Sequence, residues 1–125
     1  MGDGGGISVT VERSDNPGVD CATCTYTWYQ GTPTNSNINF FNNPPNMGGT
    51  APETLVWGAG NKNLGLEADA ITGAAPGVGA GTYTLIVVDN DPAHQACGNY
   101  FVEAVGFAAA PVITVTETDV SKCFA

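Results

Sequence analysis

Apolar and polar positions alternate with period two in short runs along this chain. Ile7-Ser-Val-Thr-Val-Glu12 puts Ile7, Val9 and Val11 on one face, as a half-buried strand requires. Thr25-Tyr-Thr-Trp-Tyr29 puts Tyr26 and Trp28 on one face and Thr27 and Tyr29 on the other. Thr82-Tyr-Thr-Leu-Ile-Val-Val-Asp89 carries the strongest signal: Tyr83, Leu85 and Val87 share one face, while Ile86 and Val88 make the reverse face apolar too. That pattern predicts a central strand, or one covered on both sides. Further strands are expected over 99–105 and 112–118, with weaker candidates at 55–57 and 67–71. No stretch of ten residues free of Gly and Pro repeats its apolar positions every 3.6 residues, so no helix is expected. Turn signals fill the gaps: Asn16-Pro-Gly18, Asn43-Pro-Pro-Asn46, Gly48-Gly49, Gly58-Ala-Gly60, Pro76-Gly77 and Asp91-Pro92. Short strands punctuated this way predict an all-β fold, an antiparallel β-sandwich.

One segment exceeds a minimal sandwich. Residues 30–49 are rich in Asn, Pro and Gly, and they hold Phe40 and Phe41 side by side. A loop of that length signals either function or an insertion packed on the surface. In the packed version, Phe40 or Phe41 caps one open end of the sandwich.

At 125 residues the chain has room for one domain. Twelve acidic residues against three basic ones give a net charge of −9, and Arg13, Lys62 and Lys122 are dispersed. Nucleic acid and anionic membrane surfaces are thereby excluded as partners, since counterion release needs clustered cations. Membrane insertion is not expected: the weakly polar run from Ala104 to Val115 is short and broken by Gly106 and Pro111. Met1 is followed by Gly-Asp-Gly-Gly-Gly, not by a basic segment and an apolar run, and reads as an expression start on a fragment of a longer chain.

The four cysteines are Cys21, Cys24, Cys97 and Cys123, which allow three disulfide pairings. A Cys21–Cys24 link would staple a tight turn and leave Cys97 to pair with Cys123, closing a loop worth roughly 3 kcal/mol. A redox C-x-x-C needs a helix N-terminus in a βαβ setting, but Cys24 runs directly into strand sequence. Zinc is the other alternative: Cys21-x-x-Cys24 and His94-x-x-Cys97 form two knuckle-like pairs, which meet only if the fold joins two loops.

The most informative stretch is Gly79-Ala-Gly-Thr-Tyr-Thr-Leu-Ile-Val-Val-Asp89, followed eight residues later by Cys97. With Gly6-Ile-Ser-Val-Thr-Val11, Tyr26-Thr-Trp28 and Ile113-Thr-Val-Thr-Glu-Thr118 leading to Cys123, it resembles the SprB-like repeats of bacterial gliding-motility and cell-surface adhesins. The matches cover less than half of the chain. The resemblance implies an immunoglobulin-like, non-catalytic repeat module, related in appearance to polycystic-kidney-disease-like domains. It would belong to a large secreted protein at the bacterial cell surface, acting as spacer and adhesion surface, with neighbouring repeats and surface polysaccharide as partners. Two departures stand out: the segment 32–65 is longer than such a repeat needs, and the Cys21/Cys24 pair is additional. The opening strand of the repeat also falls at the C-terminus here. Residues 1–125 therefore read as a single repeat in which 106–125 either fold back or form the linker and first strand of a following repeat.

Tyr83, entering a central strand after a Gly turn, is placed to bury its ring and return its hydroxyl to backbone, with Trp28 as core partner on the facing sheet. Catalytic groups are lacking: there is one histidine, no Ser-His-Asp arrangement, and no Gly-rich run followed by Lys-Ser/Thr. Asp89-Asn90-Asp91, directly after the strongest strand, is a candidate calcium site, and Asp15, Asn16 and Asp20 form a second acidic turn. The alternative function is a carbohydrate-binding β-sandwich in which Trp57, Tyr29, Phe40 and Phe41 supply a stacking platform.

Overall fold

A computed structural model of the chain describes residues 5–13, 16–33, 38–40, 45–48, 55–57, 62–65, 77–90, 97–105, 113–117 and 122–123. They form β1 (Ile7–Arg13), β2 (Asn16–Asp20), β3 (Cys24–Gln30), β4 (Leu55–Trp57), β5 (Gly81–Asp89), β6 (Cys97–Val105), β7 (Ile113–Glu117) and β8 (Lys122–Cys123). Among the described residues there is no helix, hence none that could cross a membrane. One sheet has the order β2-β1-β7 and the other β4-β3-β5-β6-β8. The expected strands at 55–57, 82–89, 99–105 and 112–118 are present with small shifts at their ends, while 67–71 lies outside the described residues.

Both sheets face one core. Ile7, Val9 and Val11 of β1 pack with Tyr26 and Trp28 of β3, with Tyr83, Leu85 and Val87 of β5, and with Leu64, Val78 and Val105. Trp28 is fully buried, and its indole N–H donates to the Lys62 carbonyl at 3.1 Å, so the ring pays no penalty for an unmet donor. The expectation that Trp28 faces Tyr83 across the sandwich is corrected: β3 pairs directly with β5, Trp28 lies opposite Leu85, and both aromatics belong to the same sheet. The tyrosine device itself is present, for the Tyr83 hydroxyl donates to the Gly79 carbonyl at 2.8 Å.

The second face of β5 is covered by described residues of the segment 30–49. Ile86 packs with Tyr29 and Met47, and Ile38, Phe40 and Tyr100 join them. Phe40 therefore covers the outer face of the five-stranded sheet instead of capping an open end, and its ring lies on Gly98 of β6, where a Cβ would stand 3.0 Å from it. The segment is pinned by paired backbone bonds between Asn39 and Asn46 and by the Tyr29 hydroxyl donating to the Pro45 carbonyl. Phe41 is outside the described residues.

Two features depart from the sequence reading. Asn16-Pro-Gly18 is not only a turn: it opens β2, an edge strand, where proline is tolerated because its missing N–H faces no partner. A register shift between Glu12 and Arg13, with Gly18 at φ 85°, lets the hairpin close. In addition β7 runs parallel to β1, from Ile7 opposite Ile113 to Val11 opposite Glu117, so the sandwich is not wholly antiparallel. A parallel neighbour needs a long connection, and β2 through β6 intervene between the two strands.

The other flank of β1 is completed without a full strand. Its N–H groups at Ile7, Val9 and Val11 donate to the Leu64 carbonyl (2.8 Å), Asn63 Oδ1 (2.9 Å) and Asp20 Oδ1 (3.0 Å). Buried backbone donors must be met, and here side-chain oxygens substitute for strand carbonyls. Replacing Tyr83 by Phe should cost about 1 kcal/mol in denaturant unfolding, the net worth of one hydrogen bond. A Tyr83→Phe protein as stable as the parent would remove the corner from the account of the fold.

Candidate functional site

The chemistry-bearing side chains collect at one end of the sandwich. Register across the five-stranded sheet sets Cys24 opposite Asp89, Asp89 opposite Cys97, and Cys97 opposite Cys123, a single row across four strands. Cys21 and Cys24 are joined by a disulfide across the Ala22-Thr23 turn, with their Cα atoms 5.6 Å apart. Cys97 is also disulfide-bonded. Since the Cys21 and Cys24 sulfurs bond each other, they do not form half of a zinc knuckle in this state; His94 is outside the described residues.

Asp89 is the central group. It is fully buried at the end of β5, and its carboxylate accepts a hydrogen bond from the Thr23 hydroxyl at 2.5 Å. The Arg13 Nε, from the end of β1 in the other sheet, lies 3.6 Å from the second carboxylate oxygen. This ion pair thus spans the two sheets. Removing one partner of a buried pair leaves an uncompensated charge, a loss of about 3–5 kcal/mol. Beside it, Arg13, Val19, Asp20, Cys21, Ala22 and Thr23 line a hollow of about 150 Å³.

Tyr26 closes the underside of the turn, its hydroxyl donating to the Cys21 carbonyl at 3.2 Å. Burial, followed by the negative charges of Asp20 and Asp89, pushes the phenol pKa up to about 12. Asp20 is committed to structure as well: one oxygen meets the Val11 N–H and the other pairs with Lys62.

Of the calcium candidates Asp89, Asn90 and Asp91, the first two are described. The Asp89 carboxylate faces inward to Thr23 and Arg13, whereas exposed Asn90 turns its amide to Thr25 Oγ1 (3.2 Å) and the Val88 carbonyl (3.4 Å). Asp91 and Asp15 lie outside the described residues. Of the stacking candidates Trp57, Tyr29, Phe40 and Phe41, the side chains of Tyr29 and Phe40 are described. Tyr29 is 3% exposed, and Phe40 packs against its cluster. For Trp57 the backbone is described, pairing with Trp28, but not the side chain.

Sequence reasoning missed Arg13, Thr23 and Tyr26 as parts of this end. The available signal was charge scarcity: one of three cations stands at the end of a core strand, where only a carboxylate from another strand would justify it.

Two measurements follow from this geometry. An unfolded tyrosine loses its proton near pH 10, while folded Tyr26 holds it to about 12, so above pH 10 the unfolded chain binds fewer protons than the folded one. The contribution of Tyr26 is therefore complete below pH 10 and lost as pH rises towards 12. Urea midpoints should fall over that window, and less steeply in Tyr26→Phe; equal slopes would contradict the assignment. Second, since the Asp89 carboxylate is engaged by Thr23 and Arg13, adding calcium and then chelator should leave the thermal midpoint unchanged. A calcium-dependent rise would support calcium binding at this strand end. Comparison of the chain with family models, with curated proteins and with solved structures returned no match.

Proposed function

We propose that this chain is a non-catalytic, immunoglobulin-like repeat module of a large secreted bacterial surface adhesin, serving as spacer and adhesion surface in attachment or gliding motility. The observation that carries the reading is the parallel pairing of β1 with β7. The β1 start, with Gly5 bridged to Val78, lies at the Gly81/Val105 end of the sandwich, and the β8 end lies at the Cys97 end. The first described strand therefore starts at one end and the last finishes at the other, an arrangement that suits a module in an end-to-end array.

Tension applied through those ends loads the β1–β7 hydrogen bonds together, in shear, instead of one at a time. Strand alternation assigns Ser8 and Thr10 to that ladder, because the neighbouring N–H groups of Ile7, Val9 and Val11 are met on the opposite side. The resemblance of the Gly79–Asp89 segment to adhesin repeats supports the same function, with Tyr83 making its corner bond and Cys97 opposite Asp89. The stacking alternative loses Tyr29 to the interior, and no observation favours it.

The reading is tested by pulling a tandem array from its ends while screening the single module on a glycan array. Each module should yield in one abrupt event, with no tight binding of soluble glycans. Progressive unravelling at low force, or tight glycan binding, would overturn the spacer function. Peptide mapping without reductant should link Cys97 to Cys123 of the same chain; a link between chains would replace the single-module arrangement with strand exchange.

A further inference from the structure

We propose that, with the Cys21–Cys24 bond reduced, Cys21, Cys24 and Asp89 form a binding site for a thiophilic divalent cation of the zinc class. The Sγ atoms of both cysteines and a carboxylate oxygen of Asp89 all lie within 4.8 Å of one another. Four-coordinate zinc, with bonds of about 2.3 Å to sulfur and 2.0–2.2 Å to oxygen, places its donors roughly 3.4–3.8 Å apart. The three donors are therefore gathered within reach of one ion once the Cys21–Cys24 bond opens and its sulfurs part. The C-x-x-C turn is also the ligand spacing of zinc knuckles. Asp89 takes the place that the sequence alone offered to a distant second pair.

The charges support the same assignment. Asp89 is fully buried and the Arg13 Nε stands 3.6 Å from its Oδ2. In the oxidised protein the carboxylate and the guanidinium balance each other. Reduction and metal binding introduce two thiolates and one divalent cation, and the buried group is again neutral. Two thiolates without the cation would leave an excess of negative charge beside Asp89, which burial disfavours. The hollow lined by Arg13, Asp20, Cys21 and Thr23 reaches one of the three donors, Cys21.

The chemistry balances with a dithiol as reductant. Its two sulfurs give up their hydrogens and close to a cyclic disulfide, the Cys21–Cys24 bond breaks, and each cysteine gains one hydrogen. The cation then displaces both thiol protons to solvent. Disulfide and metal thus become alternative clasps for one end of the sandwich, chosen by the redox state. The assignment is independent of the adhesin reading, since it uses neither end-to-end assembly nor any partner.

The test uses the full chain reduced with a trialkylphosphine, which takes up oxygen from water as the disulfide opens and leaves no competing thiol. Cobalt(II) should give thiolate charge-transfer absorption, and zinc should abolish it by displacement. The absorption should persist in a Cys97→Ser/Cys123→Ser protein and vanish in Cys21→Ser/Cys24→Ser. Asp89→Asn should weaken cobalt binding ten-fold or more. Equal affinity in a folded Asp89→Asn protein would overturn the site. Should that variant fail to fold, zinc-edge X-ray absorption on the unsubstituted reduced chain decides. Two sulfurs near 2.3 Å with oxygen completing the shell are expected. Four sulfurs, or none, would overturn the proposal.

Discussion

Residues 83–89 of β5 are buried without interruption, and a strand buried on both faces must be covered twice. This requirement organises the molecule. One face is met by β1, whose Ile7, Val9 and Val11 supply the opposing layer. The other is met by the insertion after β3, through Ile38, Phe40 and Met47. A two-sheet fold with one solvated face per sheet would have no use for residues 30–49. Here the described residues Ile38, Phe40 and Met47 of that segment cover the second face of β5.

The strands were legible because alternation is a local property, and the double-sided apolarity of Thr82–Asp89 already demanded two covers. Which segment supplied the second cover was not legible. Phe40 reaches the sheet because Gly98, far along the chain, leaves space for its ring, and no local pattern couples those two residues. The strand β2 was missed for a related reason. Asn16-Pro-Gly18 has turn chemistry, and only its edge position makes it a strand. The parallel partner of β1 was equally hidden, since periodicity identifies a strand but not the direction of its neighbour. Asp89 was singled out from sequence as an oxygen donor at a strand end. Register against β3 then set it opposite Cys24 and gave it protein partners, an outcome that spacing alone does not encode.

The seam between the sheets is polar where it needs to be. β1 has a full strand neighbour on only one side for most of its length, yet its N–H groups at Ile7, Val9 and Val11 all find oxygen. Asn63 and Asp20 act as surrogate backbone, and Lys62 connects them: its carbonyl holds Trp28, its ammonium pairs with Asp20, and its chain neighbour Asn63 meets Val9. Through these contacts the 62–65 segment joins both sheets. Gly65 makes the crossing feasible, with φ at 78° and the Gly5 carbonyl oxygen 2.5 Å from where a Cβ would stand. A side chain there would push backbone against backbone.

Charge scarcity then takes on a structural meaning. Of three cations in a chain of net charge −9, Arg13 and Lys62 both stand on carboxylates at the same end of the sandwich. Their worth differs. Lys62–Asp20 is partly exposed and contributes at most about 1 kcal/mol, less as salt rises. Arg13–Asp89 has one partner wholly enclosed, so salt screens it weakly and its loss would strand a charge in the core. Raising ionic strength therefore relieves the repulsion among surface acids while leaving the inter-sheet pair largely intact. Of the two pairs, Arg13–Asp89 is thus the less sensitive to salt, because its carboxylate is wholly enclosed.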